Sequence, residues 1–192
     1  MYAQIQHTGW PSDQHKNLTT KGELKMQSLK EIGPAPEASF DFVCRDIFGI
    51  QKWKETIHNT VCLPGKENVL NVYFGAATQT TTWYTLLVGG AATIANTDTL
   101  ASHAGWTEVT AYSGNRPSIT WSAATLVSTT AEITSSAGVT FTMNASYTVN
   151  GAGLCTVATG TSGILYDAAL FGSARSGASG DTITVTPTLS VA

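Results

Sequence analysis

An all-β body, an antiparallel β-sandwich or jelly-roll-like fold behind an extended, partly helical amino-terminal arm, is the architecture this 192-residue sequence predicts. Three observations point there. Charge is segregated: residues 1–68 hold 8 Lys/Arg and 8 Asp/Glu, while residues 69–192 hold only Arg116 and Arg175 against Asp98, Glu108, Glu132, Asp167 and Asp181. The second stretch is filled with Thr, Ser, Ala, Gly and Val, and its apolar residues recur with period two, the mark of half-buried strands. Its short strand patterns are separated by Gly/Ser turns, as in sandwiches and jelly rolls. The change falls near Lys66, which divides the chain into an arm over 1–65 and a body over 66–192.

The arm opens without periodicity. Trp10-Pro11 and the polar run Ser12 to Asn17 read as extended or irregular. Thr20-Lys21-Gly22-Glu23 fits a capping box ahead of Leu24, Met26 and Leu29, so a short helix is expected to about Glu31. Gly33-Pro34-Ala35-Pro36 stops it and forms a hinge. FDFVCRDIF over 40–48 reads as a short strand. Ile50, Trp53 and Ile57 fall at helical spacing with Lys52, Lys54 and Glu55 between them. Little core is available in so charged a segment. Trp10 and Trp53 are therefore expected in pockets of a partner, with Phe40, Phe42, Ile47, Phe48 and Ile57 as further partner contacts.

Val69, Val72 and Tyr73 share a helical face, which predicts a short amphipathic helix over 66–74. Trp83 to Val88 is a strongly apolar strand ended by Gly89-Gly90. Ile119 and Trp121 alternate with Ser118, Thr120 and Ser122. In 139–149, Val139, Phe141, Met143, Ala145, Tyr147 and Val149 face one way, with Thr, Asn and Ser facing the other. Gly151-Ala152-Gly153 reads as a turn. Leu154 to Ala158 and Ile164 to Tyr166 are shorter strands. Thr182 to Val191 is the last, and Pro187, lacking a ladder donor, predicts that it lies at an edge or is bulged. Trp83 and Trp121 are expected in the core, and Trp106 at a packed corner rather than as a sugar-stacking platform. A body without lysine beyond Lys66 has no charged guard on its strand edges. Sister subunits or the arm itself are expected to cover them.

Composition excludes several functions. A net charge of −3 supplies no basic field for nucleic acid. No run of about 18 apolar residues exists to span a membrane. Cys44, Cys62 and Cys155 show no CxxC spacing and read as buried free thiols. No nucleophile motif appears, and His7, His15, His58 and His103 are isolated, so neither metal, cofactor nor enzymatic activity is expected. His103 is expected to hold its loop by backbone hydrogen bonds. Asp98 and Glu108 pass as a glycosidase pair on counting alone, a test that any two carboxylates ten residues apart would pass. The opening MYAQIQHTGWPSDQHK has no basic region followed by an apolar run, so it does not read as a secretory signal. A body composed like a surface adhesin, without export signal or disulfides, suits a virion protein made in a reducing cytoplasm and released by lysis. A truncated chain resolves the tension equally well.

Two stretches resemble a known group. One is Trp83-Tyr84, then Asp98-Thr99-Leu100-Ala101-Ser102-His103-Ala104-Gly105-Trp106-Thr107-Glu108, then Ala111-Tyr112-Ser113 and Arg116-Pro117. The other is Gly163-Ile164-Leu165-Tyr166 with Ala169-Leu170-Phe171, then Ser179-Gly180-Asp181-Thr182-Ile183-Thr184-Val185-Thr186. Over residues 66–192 they resemble small tailed-phage virion proteins, some of which serve as head decoration or cement proteins. The resemblance implies a β-sandwich on the virion. The expected function is a capsid decoration protein that binds the major capsid protein on the outer surface of the shell, as a homo-oligomer with a trimer favoured. The alternative is a tail- or head-fibre or adhesin component binding host glycans, with Trp106, Tyr112 and Arg116 as first contacts.

Overall fold

A computed structural model of the chain describes residues 36–90 and 92–191. The helix expected near 20–31 and the partner contact expected of Trp10 lie outside the described residues. The compact unit spans Pro34–Ala192. In chain order its elements are β1 (Glu37–Arg45), β2 (Gln51–His58), β3 (Thr60–Val61), α1 (Leu63–Tyr73), β4 (Trp83–Gly89), β5 (Thr107–Glu108) and β6 (Ser118–Ile119), followed by β7 (Thr125–Val127), β8 (Thr130–Thr134), β9 (Val139–Thr142), β10 (Tyr147–Cys155), β11 (Leu165–Gly177) and β12 (Thr182–Val191). The fold is all-β, with every strand pair antiparallel. One sheet runs β2-β1-β12-β8-β7 with β9 also on β12. The other runs β3-β11-β10-β4-β5 with β6 also on β4.

The boundary expected at 65/66 is corrected by β1. Its burial alternates along EASFDFVCR, with Ala38, Phe40, Phe42 and Cys44 inward. It pairs with β12 over nine residues, from Glu37↔Ser190 to Arg45↔Thr182. Two phenylalanines with no water contact belong to this protein's own core, because period-two burial and a full ladder stabilise them there. The segment Ile50 to Ile57 is a strand, not a helix. A spacing of four between Trp53 and Ile57 also fits period two, and pairing with β1 decides the matter.

The interior between the sheets is filled by Phe40, Phe42, Ile183, Val185 and Phe141 from one side and Leu87, Val149, Leu154, Ala169 and Phe171 from the other. Phe42 meets Phe171 edge-on at 4.7 Å. A second cluster lies on the outer face of the β10–β4 sheet, where Leu100 and Trp106 cover Leu86, Val88, Cys155 and Leu165. This explains why β4 reads as a continuous apolar run: the strand is buried on both faces.

The alternation over 139–149 holds at every position but Ala145, yet it belongs to two strands. The chain leaves one sheet at the end of β9 and enters the other at Tyr147. Gly151 and Gly153 lie inside β10, not in a turn. A side chain at Gly151 would collide with the Ala169 carbonyl, and the register shifts there.

β12 is central, not an edge. Pro187 is accommodated at the gap between the last residue of β8, Thr134 opposite Thr188, and the first of β9, Val139 opposite Val185. Its carbonyl accepts from Ser135 N–H at 3.0 Å on that side. The N and O of one strand residue point the same way, so the missing donor faces the break between partners.

Buried Asp167 sits on β11. Its Oδ1 accepts the Leu154 N–H at 3.2 Å, beside the register shift between Leu154 and Cys155. Burial pushes its carboxyl up to about 8, while the Asn59 side chain and the Leu154 N–H work against that rise. The folded state therefore holds a proton that the unfolded chain releases near pH 4. Stability from this site is full below that range and falls as pH rises to about 8. Urea unfolding across this window should show the decline, and Asp167→Asn should flatten it. A fragment of residues 66–192, lacking β1, should show no cooperative thermal transition, whereas the full chain should. Phe42→Ala should lower stability by about 3–5 kcal/mol in the same urea titration.

Candidate functional site

The turn joining β1 to β2 projects apolar side chains into solvent from a tightly bonded backbone. Its sequence is Asp46-Ile47-Phe48-Gly49-Ile50. Asp46 organises it: Oδ1 accepts from the Phe48 and Ile50 N–H groups, both at 2.9 Å. The Asp46 N–H donates to the Ile50 carbonyl and the Gly49 N–H to the Asp46 carbonyl, each at 2.9 Å. The Arg45 guanidinium donates to the Gly49 carbonyl at 3.0 Å. Gly49 takes φ +80°, a conformation that favours glycine. On this frame Ile47, Phe48 and Ile50 are 70%, 85% and 64% exposed.

The turn rests on a second one. Gly180, at φ +91°, lies under Ile47, and a Cβ there would come 3.2 Å from Ile47 Cδ1. Asp181 anchors that lower turn. Its Oδ2 accepts from Lys52 Nζ at 2.6 Å, from the Ala178 N–H at 3.0 Å and from the Tyr147 hydroxyl at 3.1 Å. Its carbonyl accepts from the Met143 N–H, and the Met143 carbonyl accepts from the Gly180 N–H. The β11–β12 turn is thereby tied to the segment crossing between sheets. Burial acts to raise Asp181, but Lys52, Ala178 and Tyr147 more than offset it and hold the carboxyl below its usual range. Asp181 raises the Lys52 ammonium in return. Burial pushes the Cys44 thiol and the Tyr147 hydroxyl up. Cys44 Sγ lies 3.4 Å from that hydroxyl, so this cysteine is a packed thiol and not a nucleophile.

The expected contacts divide here. Ile47 and Phe48 are exposed and adjacent. Phe40, Phe42 and Ile57 are core residues and are withdrawn as partner contacts, because their side chains already pack between the two sheets. Trp53 is half-buried against Phe42 and Phe171 of its own chain. Ile50 completes the exposed group and was missed. Its helical spacing with Trp53 and Ile57 masked its place in the turn, although Asp46 and Gly49 carry the turn signal.

The strings quoted for the phage resemblance form internal pins. Asp98 Oδ2 accepts from the Trp106 indole N–H at 3.0 Å and the Ala95 N–H at 3.1 Å. His103 stacks on Trp106 at 3.7 Å, with Nδ1 3.1 Å from the Trp106 carbonyl. The loop-holding role expected of His103 and the corner expected of Trp106 are what these contacts form. Arg116 grips both oxygens of Glu108, at 2.8 and 2.6 Å, and the carbonyls of Val157 and Gly160. Asp98 and Glu108 therefore serve different pins and are not a catalytic pair. Trp106, Tyr112 and Arg116 are buried, so as glycan contacts they are withdrawn. An open groove of about 470 Å³ near β6 is lined by small residues such as Ser118, Thr120, Ser136 and Thr140, with no aromatic platform in its lining. No family model, curated protein or solved structure matches the chain.

Asp181→Asn should cost about 1.5–3 kcal/mol at neutral pH, the range for hydrogen bonds to a charged group. The deficit should close in acid, because stability from a depressed carboxyl is present above its unfolded pKa and lost as pH falls through the folded one. Urea titrations of both proteins from neutral to acid pH check this.

Proposed function

We propose that this protein is a non-enzymatic capsid decoration (cement) protein of a tailed phage. It sits on the outer surface of the head and docks on the major capsid protein through the β1–β2 turn. The observation that carries the docking is the pairing of an apolar tip with a fixed backbone. Ile47, Phe48 and Ile50 are presented by five hydrogen bonds within residues 45–50. Docking a preset tip avoids the entropy of ordering a loop, and large apolar side chains that enter partner pockets dominate such interfaces. The phage reading rests on the resemblance of the 98–117 and 163–186 strings. A homo-oligomer, with a trimer favoured, suits repeated attachment to a shell of repeated subunits.

Cementing works by mass action. Binding that favours the assembled shell stabilises it by roughly 2.7 kcal/mol per site when free protein exceeds the dissociation constant a hundredfold. Particles lacking the protein should assemble normally, adsorb normally and release genome at a lower temperature. Phe48→Ser should weaken attachment to shells by about 1–3 kcal/mol without lowering the melting temperature of the free protein. Pelleting with shells and calorimetry measure both. Normal heat resistance with lost adsorption would transfer the assignment to a fibre role.

A further inference from the structure

A second apolar surface lies on α1, distant from the β1–β2 turn. The inner side of this helix packs against β11. A Cβ at Gly65 would collide with the Tyr166 carbonyl, so glycine lets the helix sit directly on the strand. Val69 packs on the core from the same side. The outer side is apolar as well. Leu63, Leu70, Tyr73 and Phe74 are 47%, 60%, 77% and 86% exposed, and at 100° per residue they fall on one stripe. A helix that exposes a run of large apolar side chains is normally covered by a partner. This one forms no intramolecular cover over its outer stripe among the described residues.

We infer that the outer stripe of α1 is a self-association surface whose occupant is a second copy of this chain. Two properties favour a like partner. First, the charges on this side are Lys66 and Glu67, one of each sign. The patch therefore carries no net charge to repel its own image. Second, the area suffices. Aromatic side chains carry about 150–250 Å² each, so Tyr73, Phe74 and the two leucines of each copy offer up to roughly 1,000 Å² for burial, the threshold for a specific interface. The surface is separate from the docking turn. The turn abuts Gly180 beyond the end of β11, while α1 packs at its start near Tyr166, and 13 residues of strand span roughly 40 Å.

Sedimentation velocity of the full-length protein without shells tests this apart from docking. Failure here leaves the docking reading standing, and failed shell binding leaves this one standing. The wild type should associate reversibly at micromolar concentration. Leu70→Ser with Phe74→Ser should raise the dissociation constant by at least about 30-fold, as loss of interface anchors does, with an unchanged near-ultraviolet spectrum. Tyr73→Cys gives a second reading that needs no destabilising change, since the three native cysteines are buried. On mild oxidation it should cross-link copies, whereas Thr129→Cys, on the exposed β7–β8 turn of the other sheet, should not. A monomeric wild type, unchanged association of the double variant, or equal cross-linking at 73 and 129 would each overturn the inference.

Discussion

Pairing of β1 with β12 is the contact on which the rest of this molecule depends. Strands from opposite ends of the described chain lie side by side over nine residues. Closing so long a loop costs chain entropy before any contact offsets it. The offset comes from Phe40, Phe42 and Cys44 of β1 and Ile183 and Val185 of β12, all without water contact. The same register sets Arg45 opposite Thr182. That places the β1–β2 turn beside the β11–β12 turn and brings Lys52 within reach of Asp181.

The edge beside β12 is managed by the same arrangement. β12 is threonine-rich and uncharged, and alone it would be an unguarded edge. β1 covers it, and β2 becomes the outer strand, with Lys52 and Lys54 exposed. Glu55 reaches across to Arg175 at 2.7 Å, closing the opening between β2 and β11. On the other side of β12, threonine hydroxyls pair across the ladder, Thr140 with Thr184 at 2.9 Å and Thr134 with Thr188 at 3.0 Å. Charge guards the β2 edge, and hydroxyls pair along the β12 ladder.

Two buried carboxyl groups show how environment decides chemistry. Asp181 has an ammonium, a hydroxyl and a backbone N–H around one oxygen and stays ionised. Asp167 has one backbone donor and full burial, and it keeps its proton. The first ties the β11–β12 turn to β2 and to the segment crossing between sheets. The second serves an N–H beside an irregular register in the sheet. Ion pairs and hydrogen bonds elsewhere, at Arg116–Glu108 and Trp106–Asp98, likewise fasten loops to the sheets.

Sequence alone determined the all-β class, the strand of Thr182 to Val191, the helix near Lys66 and the packed corner at Trp106. Each rests on local information: period-two or helical spacing of apolar residues, turn residues, or an aromatic beside a glycine turn. Of the candidate site, Ile47 and Phe48 were legible as apolar residues in a polar neighbourhood. Their exposure was not, because the same pattern at Phe40 and Phe42 leads to the core. Which pair is buried depends on what lies across the ladder, and the partner is β12, far away in sequence. The same holds for the domain boundary, for central Pro187 and for the two-sheet fate of 139–149. Composition reports how a segment would sit in water by itself. Long-range pairing decides which segments never meet water, and only the tertiary structure contains that pairing.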